Sequence, residues 1–142
     1  MKQERGIEMN QQASSVRKTP LAGWISLGLA WIFVVCIAIQ TLFAGMALFH
    51  DGSMWRSHTL FVHFFEIVPL LMLLSGFVGK LPAKYKWSSV VMLLLVLSQY
   101  FTANFPGAGA WHPVIAIGLF WLAVDTARSL LPYYRQGQRG VD

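Results

Sequence analysis

Four long apolar stretches make up most of this chain, and a soluble fold of this size could not bury them all. They run over residues 21–49, 59–78, 87–105 and 113–131. A helix rises about 1.5 Å per residue, so about 20 apolar residues cross a hydrocarbon layer roughly 30 Å thick. The pattern predicts an all-α protein, a four-helix transmembrane bundle in up-down-up-down order. A chain of 142 residues, 56% of them hydrophobic, has room for one such domain and little else.

The basic residues sort between alternate gaps. Lys2, Arg5, Arg17 and Lys18 precede the first stretch, Lys80, Lys84 and Lys86 lie between the second and third, and Arg128, Arg135 and Arg139 end the fourth. The first gap holds only Arg56 and the third holds none, so ten of the eleven basic residues fall on one side. Positive loops stay in the cytoplasm, which predicts a cell-membrane protein with both termini cytoplasmic. The net charge of +5 is thereby explained by topology and by attraction to anionic lipid, and it gives no sign of nucleic-acid binding. Three regions follow: a disordered cytoplasmic tail at 1–19, the transmembrane domain at 20–132 and a cytoplasmic C-terminal tail at 133–142. The first apolar run is far longer than the h-region of a secretory signal, so it is read as an uncleaved helix. The lone cysteine, Cys36, lies inside it and reads as a small buried hydrophobe.

Prolines and glycines punctuate the spans. Pro20 opens the first, Asp51-Gly52 marks a turn, and Phe105-Pro106-Gly107 ends the third. Pro113 is expected to open the fourth span and Pro132 to close it. Pro69 lies near the middle of the second span and should kink it, because proline removes a backbone donor and leaves the carbonyl of Phe65 without its partner. Trp24, Trp55, Trp87 and Trp111 fall near the water interfaces as an aromatic belt would. Ser75 and Gly79, and Ala123 and Ala127, are small residues four apart that permit close helix approach. The two helix pairs share no motif of an inverted repeat.

Polar residues inside the spans carry the functional information, because ionisable groups there are costly and usually face the bundle interior. Thr59, His63 and Glu66 share one face of the second helix, and Gln99 and Thr102 share one face of the third. Gln40 comes from the first helix. By helical rise, Gln40, Glu66 and Gln99 lie near the midplane, and His63 about 5 Å outward of Glu66. One polar layer from three helices is expected, with a His63–Glu66 hydrogen bond within it. The bland reading is interhelical hydrogen bonding.

All four histidines fall toward the outer side. His58, His63 and His112 are candidates to hold haem b or another metal, since neutral imidazole is a common ligand. His58 and His63 are about 140° apart around a helix and cannot face one centre together. Either His63 or His58 could pair with His112 on the fourth helix, and the favoured pair is His63 with His112, with Glu66 accepting from the second nitrogen of His63. His50 sits on a loop margin. Asp125 and Arg128 near the cytoplasmic end of the fourth span are expected to pair. There is no CxxCH, no HExxH, no phosphate loop and no nucleophile–base–acid set, which argues against an enzyme active site.

The run from His58 to His63, Pro69, Gln99 and Trp111-His112-Pro113 with Ala116 and Phe120 resembles a family of short bacterial four-helix membrane proteins known only as a domain of unknown function. The resemblance spans residues 36–131. It implies a multi-pass bacterial membrane protein and supplies no activity. More distantly, histidines at one end of a four-helix bundle are similar to those of small b-type cytochromes and haem-handling membrane proteins. Those usually pair histidines on facing helices, whereas here one pairing must mix depths.

The leading expectation is a non-enzymatic binding or accessory protein of the lipid bilayer, assembling with a membrane-protein partner or with itself. The rival is a haem- or quinone-binding redox protein using His63, His112 and His58. A third reading is a proton-coupled small-solute carrier using Glu66.

Overall fold

A computed structural model describes the backbone over residues 20–139 and the side chains over 21–132. The tail expected at 1–19 and the last residues of the chain lie outside the described residues. Among the described residues five α-helices form four spans: α1 (Pro20–Phe49), α2 (Met54–Phe65), α3 (Val68–Val78), α4 (Ala83–Asn104) and α5 (Trp111–Arg139). A 3-10 turn (Ala108–Ala110) precedes α5. α2 and α3 together make the second span, and all four spans are long and apolar enough to cross a membrane. Large apolar side chains are exposed on every span, among them Ile32, Leu74, Leu94 and Ile117. In water such surfaces would drive association. In lipid they are the natural exterior, because helices satisfy their own backbone groups there.

The second span is interrupted near its middle, where Pro69 is expected to kink it, although Glu66 and Ile67 keep right-handed helical dihedrals. α2 stops at Phe65, Glu66 and Ile67 form a turn, and α3 starts at Val68 with Pro69 in its first turn. The missing proline donor is the cause, and a proline is well tolerated in the first turn of a new helix. Pro69 is itself fully buried.

α1 packs on α2, α3 and α5, and α4 packs on α3 and α5. α2 leans on α1 and makes no comparable backbone approach to α4 or α5. The bundle is therefore uneven along its length. Call the end with the 50–53 and 105–110 connections the histidine end, and the end with Lys80, Lys84 and Lys86 the lysine end. Toward the lysine end the core is dense: Ala30 and Phe33 of α1, Met72 of α3, Met92 of α4 and Ala123 and Ala127 of α5 are buried. Their spacing of three and four keeps each helix presenting one stripe inward. Ser26 and Ser75 share a hydrogen bond of 2.7 Å, and a Cβ on Gly79 would lie 3.3 Å from Ala22. The small pair Ser75 and Gly79 thus brings α3 close against α1.

The connections explain where helix ends differ from the apolar runs. α2 begins at Met54, five residues before the apolar stretch. The Asp51 carboxylate accepts from the Ser53 hydroxyl at 2.7 Å and the Ser53 amide at 2.9 Å, a turn that starts the helix within polar sequence. Those two bonds hold the Asp51 carboxyl below its usual range. At the other end, Leu81 donates to Gly76 and Lys80 to Phe77, which closes α3 with a Schellman motif. Lys80 takes the left-handed position at φ 50° that glycine usually fills.

Two expectations are corrected. Pro132 ends the fourth apolar span but does not close its helix, since α5 continues through it to Arg139. Pro132 is exposed, so the carbonyl of Arg128 that it leaves without a donor can bond water or headgroups. Asp125 and Arg128 do not pair: among the described residues the only ion-pair contact is His63 with Glu66. Both side chains are exposed at the lysine end, where each can be solvated and a pair would add little.

Candidate functional site

The break at Glu66 lets α2 diverge, and a cavity of about 840 Å³ opens between the four spans toward the histidine end. Its size lies in the range of small-molecule sites. The walls are mostly apolar, from residues such as Ile37, Val62, Ala103, Ala116 and Phe120. The polar exceptions are Gln40, His58, Thr59, His63, Gln99, Tyr100, Asn104 and His112, with Thr41 beside them. Most of the polar residues singled out from the sequence therefore gather on one cavity.

Gln40 and His58 form a reciprocal pair. The Gln40 amide nitrogen donates to the His58 main-chain carbonyl at 2.8 Å, and His58 Nδ1 lies 3.0 Å from the Gln40 main-chain carbonyl. A carbonyl only accepts, so Nδ1 carries the hydrogen and Nε2 is left with a lone pair. The amide orientation of Gln40 is fixed by the same exchange, which leaves Gln40 Oε1 buried without a partner.

His112 is held in the same way from α4. Its Nδ1 lies 3.1 Å from the Thr102 hydroxyl, and that hydroxyl lies 3.1 Å from the Gln99 main-chain carbonyl. One hydroxyl hydrogen cannot serve both. With it on the carbonyl, Nδ1–H donates to Thr102 and Nε2 again keeps a lone pair. Gln99 Oε1 is buried and also lacks a partner. The rings of His58 and His112 stand 6.2 Å apart, centroid to centroid, tilted by 50°.

A second polar group lies where the span breaks. His63 Nδ1 is 3.5 Å from Glu66 Oε1 and 3.2 Å from the Tyr100 hydroxyl, which also donates to Glu66 Oε2. The His63 and Tyr100 rings are stacked at 6.0 Å. The His63–Glu66 contact expected from the sequence is thus present, joined by a tyrosine that sequence reasoning missed. Its signal was a phenol inside an apolar span, one position from Gln99, opposite a carboxylate in need of a donor. The side chains of His63 and Glu66 are 58% and 38% exposed, so this group lies at the margin of the bundle.

The expected single polar layer is therefore divided. Gln40, His58, His63, Gln99 and His112 line the cavity, with Thr102 buried behind His112, while Glu66 sits beside it behind Tyr100. The ring set against His112 is that of His58, not His63. Asp125 is on neither group and faces outward near the lysine end. No set of three or more His, Cys, Asp or Glu side chains suited to a metal ion occurs among the described residues.

Residues 40–108 match the model of a family of unknown function, DUF6220. The match takes in Gln40, His58, His63, Glu66, Gln99 and Thr102 and ends before His112. No curated protein and no solved structure gives a significant match to the chain.

Proposed function

We propose that this chain is a non-enzymatic binding or accessory protein of the bacterial cell membrane, and that it takes a small, largely apolar, membrane-soluble ligand into the cavity between α1, α2, α4 and α5. The observation that carries the reading is the cavity itself, about 840 Å³ of mostly apolar wall with the side chains of Gln40, His58, Gln99 and His112 among its few polar points. That volume and that mixture of apolar wall and sparse polar groups are those of a small-molecule site. Organic extraction of the purified protein, with mass spectrometry of the extract, tests it. A defined small molecule present with the wild type and missing from Ala116→Phe, which fills the cavity, supports the reading. Identical extracts from the two proteins would contradict it.

In the membrane the spans run up-down-up-down with both termini and the 79–86 loop in the cytoplasm. The support is the placement of ten of the eleven basic residues. The cavity then opens in the outer half of the bilayer. The half-exposed His63 and Glu66 interrupt an apolar exterior, which suits cover by a second copy or a membrane-protein partner.

Haem b binding is the second reading. It is favoured by the facing rings of His58 and His112, each with Nδ1 tied to a protein oxygen as histidine ligands usually are. When bound, the group would supply one-electron chemistry, and His58 and His112 are the residues that would hold it. A Soret band in the purified protein, lost in His58→Ala, supports this reading, and a colourless preparation reconstituted with haemin without a band rejects it.

A further inference from the structure

Two lysines at the lysine end are fixed by the same two residues of α3. The stem of Lys86, from α4, lies against Gly76, where a Cβ on the glycine would stand 3.3 Å from Lys86 Cγ. Its ammonium is 4.8 Å from the centre of the Phe77 ring. Lys80 is placed by the turn that closes α3. Its amide donates to the Phe77 carbonyl at 3.1 Å, and the Leu81 amide donates to the Gly76 carbonyl at 2.9 Å. Two cations are thereby anchored on the last turn of α3.

Topology alone asks for neither placement. A positive loop needs charge near the surface, not charge at a fixed point. Lys80 occupies a left-handed position, φ 50°, where a side chain carries a steric cost that glycine would avoid. Lys86 is half-buried, with its charge kept over an aromatic face at the rim of the apolar surface. The surrounding field is positive as well. Lys84 lies over the Tyr85 ring at 4.6 Å. The Tyr85 hydroxyl donates to the Ser129 carbonyl at 2.8 Å, which sets Arg128 level with the first turn of α4. Asp125 is the only acid in the sequence of α3, α4 and α5. Among the described residues none of these cations has an ion-pair contact.

Beside the two ammonium groups the surface turns apolar. Leu70, Leu74 and Phe77, four and three residues apart, are exposed along one face of α3. The ligand that complements this place carries a negative group at one end of a long apolar body. A free anion would leave the apolar stripe unused. An acidic peptide would bring backbone groups onto a surface where lipid cannot satisfy them. A phospholipid with net negative charge meets both halves of the site.

We propose that Lys80 and Lys86 hold the phosphate of an anionic phospholipid in the leaflet at the lysine end, with an acyl chain lying along Phe77, Leu74 and Leu70. This site stands at the opposite end of the bundle from the cavity and is independent of what the cavity holds.

Native mass spectrometry of the full chain in a non-ionic detergent tests it, with titration by phosphatidylglycerol or by phosphatidylcholine of the same acyl chains. Phosphatidylglycerol should bind at least about tenfold more tightly, since each lysine near a phosphate is worth about fivefold. Lys86→Met keeps the stem on Gly76 and removes the charge, and Lys80→Gly suits the left-handed turn. Each should lower the preference about fivefold. Either variant suffices, because each removes one of the two contacts. The unfolding temperature should be kept in Lys86→Met and kept or raised in Lys80→Gly, so that a loss of lipid is not a loss of fold. Arg56→Gln, at the histidine end, should leave the preference unchanged, as should Ala116→Phe, which fills the cavity. Soluble glycerol phosphate at the concentration of the lipid should not displace it. Equal affinity for the two lipids, or a preference unchanged in both lysine variants, would overturn the inference. So would an equal loss in Arg56→Gln, a loss in Ala116→Phe, or displacement by glycerol phosphate.

Discussion

His58 and His112 set their rings 6.2 Å apart although their helices do not pack closely on each other. Side chains, not backbone, bridge the gap that the cavity leaves between α2 and α5. Each imidazole is oriented by a bond from Nδ1 to a neighbouring helix, α1 for His58 and α4 for His112. Four spans thus meet at two rings. His58→Ala and His112→Ala should each abolish retention of whatever the cavity binds, read as ligand per protein after purification. His50→Ala should leave retention unchanged, because His50 is an exposed turn residue that does not line the cavity. Equal losses in all three variants would refute this assignment.

Pro69 acts at a distance from the cavity, through the break that frees α2. Pro69→Ala restores a backbone donor and removes the ring that opposes a continuous helix, a preference of about 3 kcal/mol in a helix interior. α2 and α3 should then tend toward one helix, and the cavity should narrow. Ligand retention should fall at least severalfold with thermal stability kept or raised. Unchanged retention would show that the cavity does not depend on the break.

Glu66, Tyr100 and His63 form the other polar unit. Glu66→Gln keeps an acceptor for Tyr100 and should change stability by no more than about 1 kcal/mol. Tyr100→Phe leaves Glu66 without its best donor and should cost about 1–3 kcal/mol. Glu66→Lys puts a cation on a half-buried face with no carboxylate to pair it and should be the most damaging. Thermal unfolding in one detergent ranks them, and equal midpoints for Glu66→Gln and Glu66→Lys would mean that Glu66 is not held as described.

Much of this was legible in the sequence, for identifiable reasons. The four spans follow from hydropathy, and the interruption of the second follows from Pro69. His63 and Glu66 are three apart on one helical turn, so their contact could be read directly. The partner of His112 stays open in the sequence between His63 and His58: His58 matches its depth and His63 shares a face with Glu66, and helical rise alone does not show which imidazole turns toward α5. The Asp51–Ser53 turn also starts α2 in polar sequence, where an apolar period gives no signal. Tyr100 was hidden because a tyrosine in an apolar span counts as apolar until its hydroxyl is followed to a partner.

Orientation is open to a direct test. Reporter fusions at residues 53, 83, 109 and 140 should report outside, inside, outside and inside respectively, because the lysine end carries the positive charge. Activity of a periplasmic reporter at residue 83 would reverse the orientation and move the cavity to the inner half of the membrane.

Native mass spectrometry of the detergent-purified chain tests the central claim most directly. The account predicts a wild-type population carrying one adduct of a few hundred daltons, the size a cavity of about 840 Å³ accepts. The adduct should be absent from Ala116→Phe and from His58→Ala, both still folded by thermal unfolding. An adduct-free wild type that gains none on exposure to a membrane lipid extract, or an adduct that persists unchanged in both variants, would contradict it.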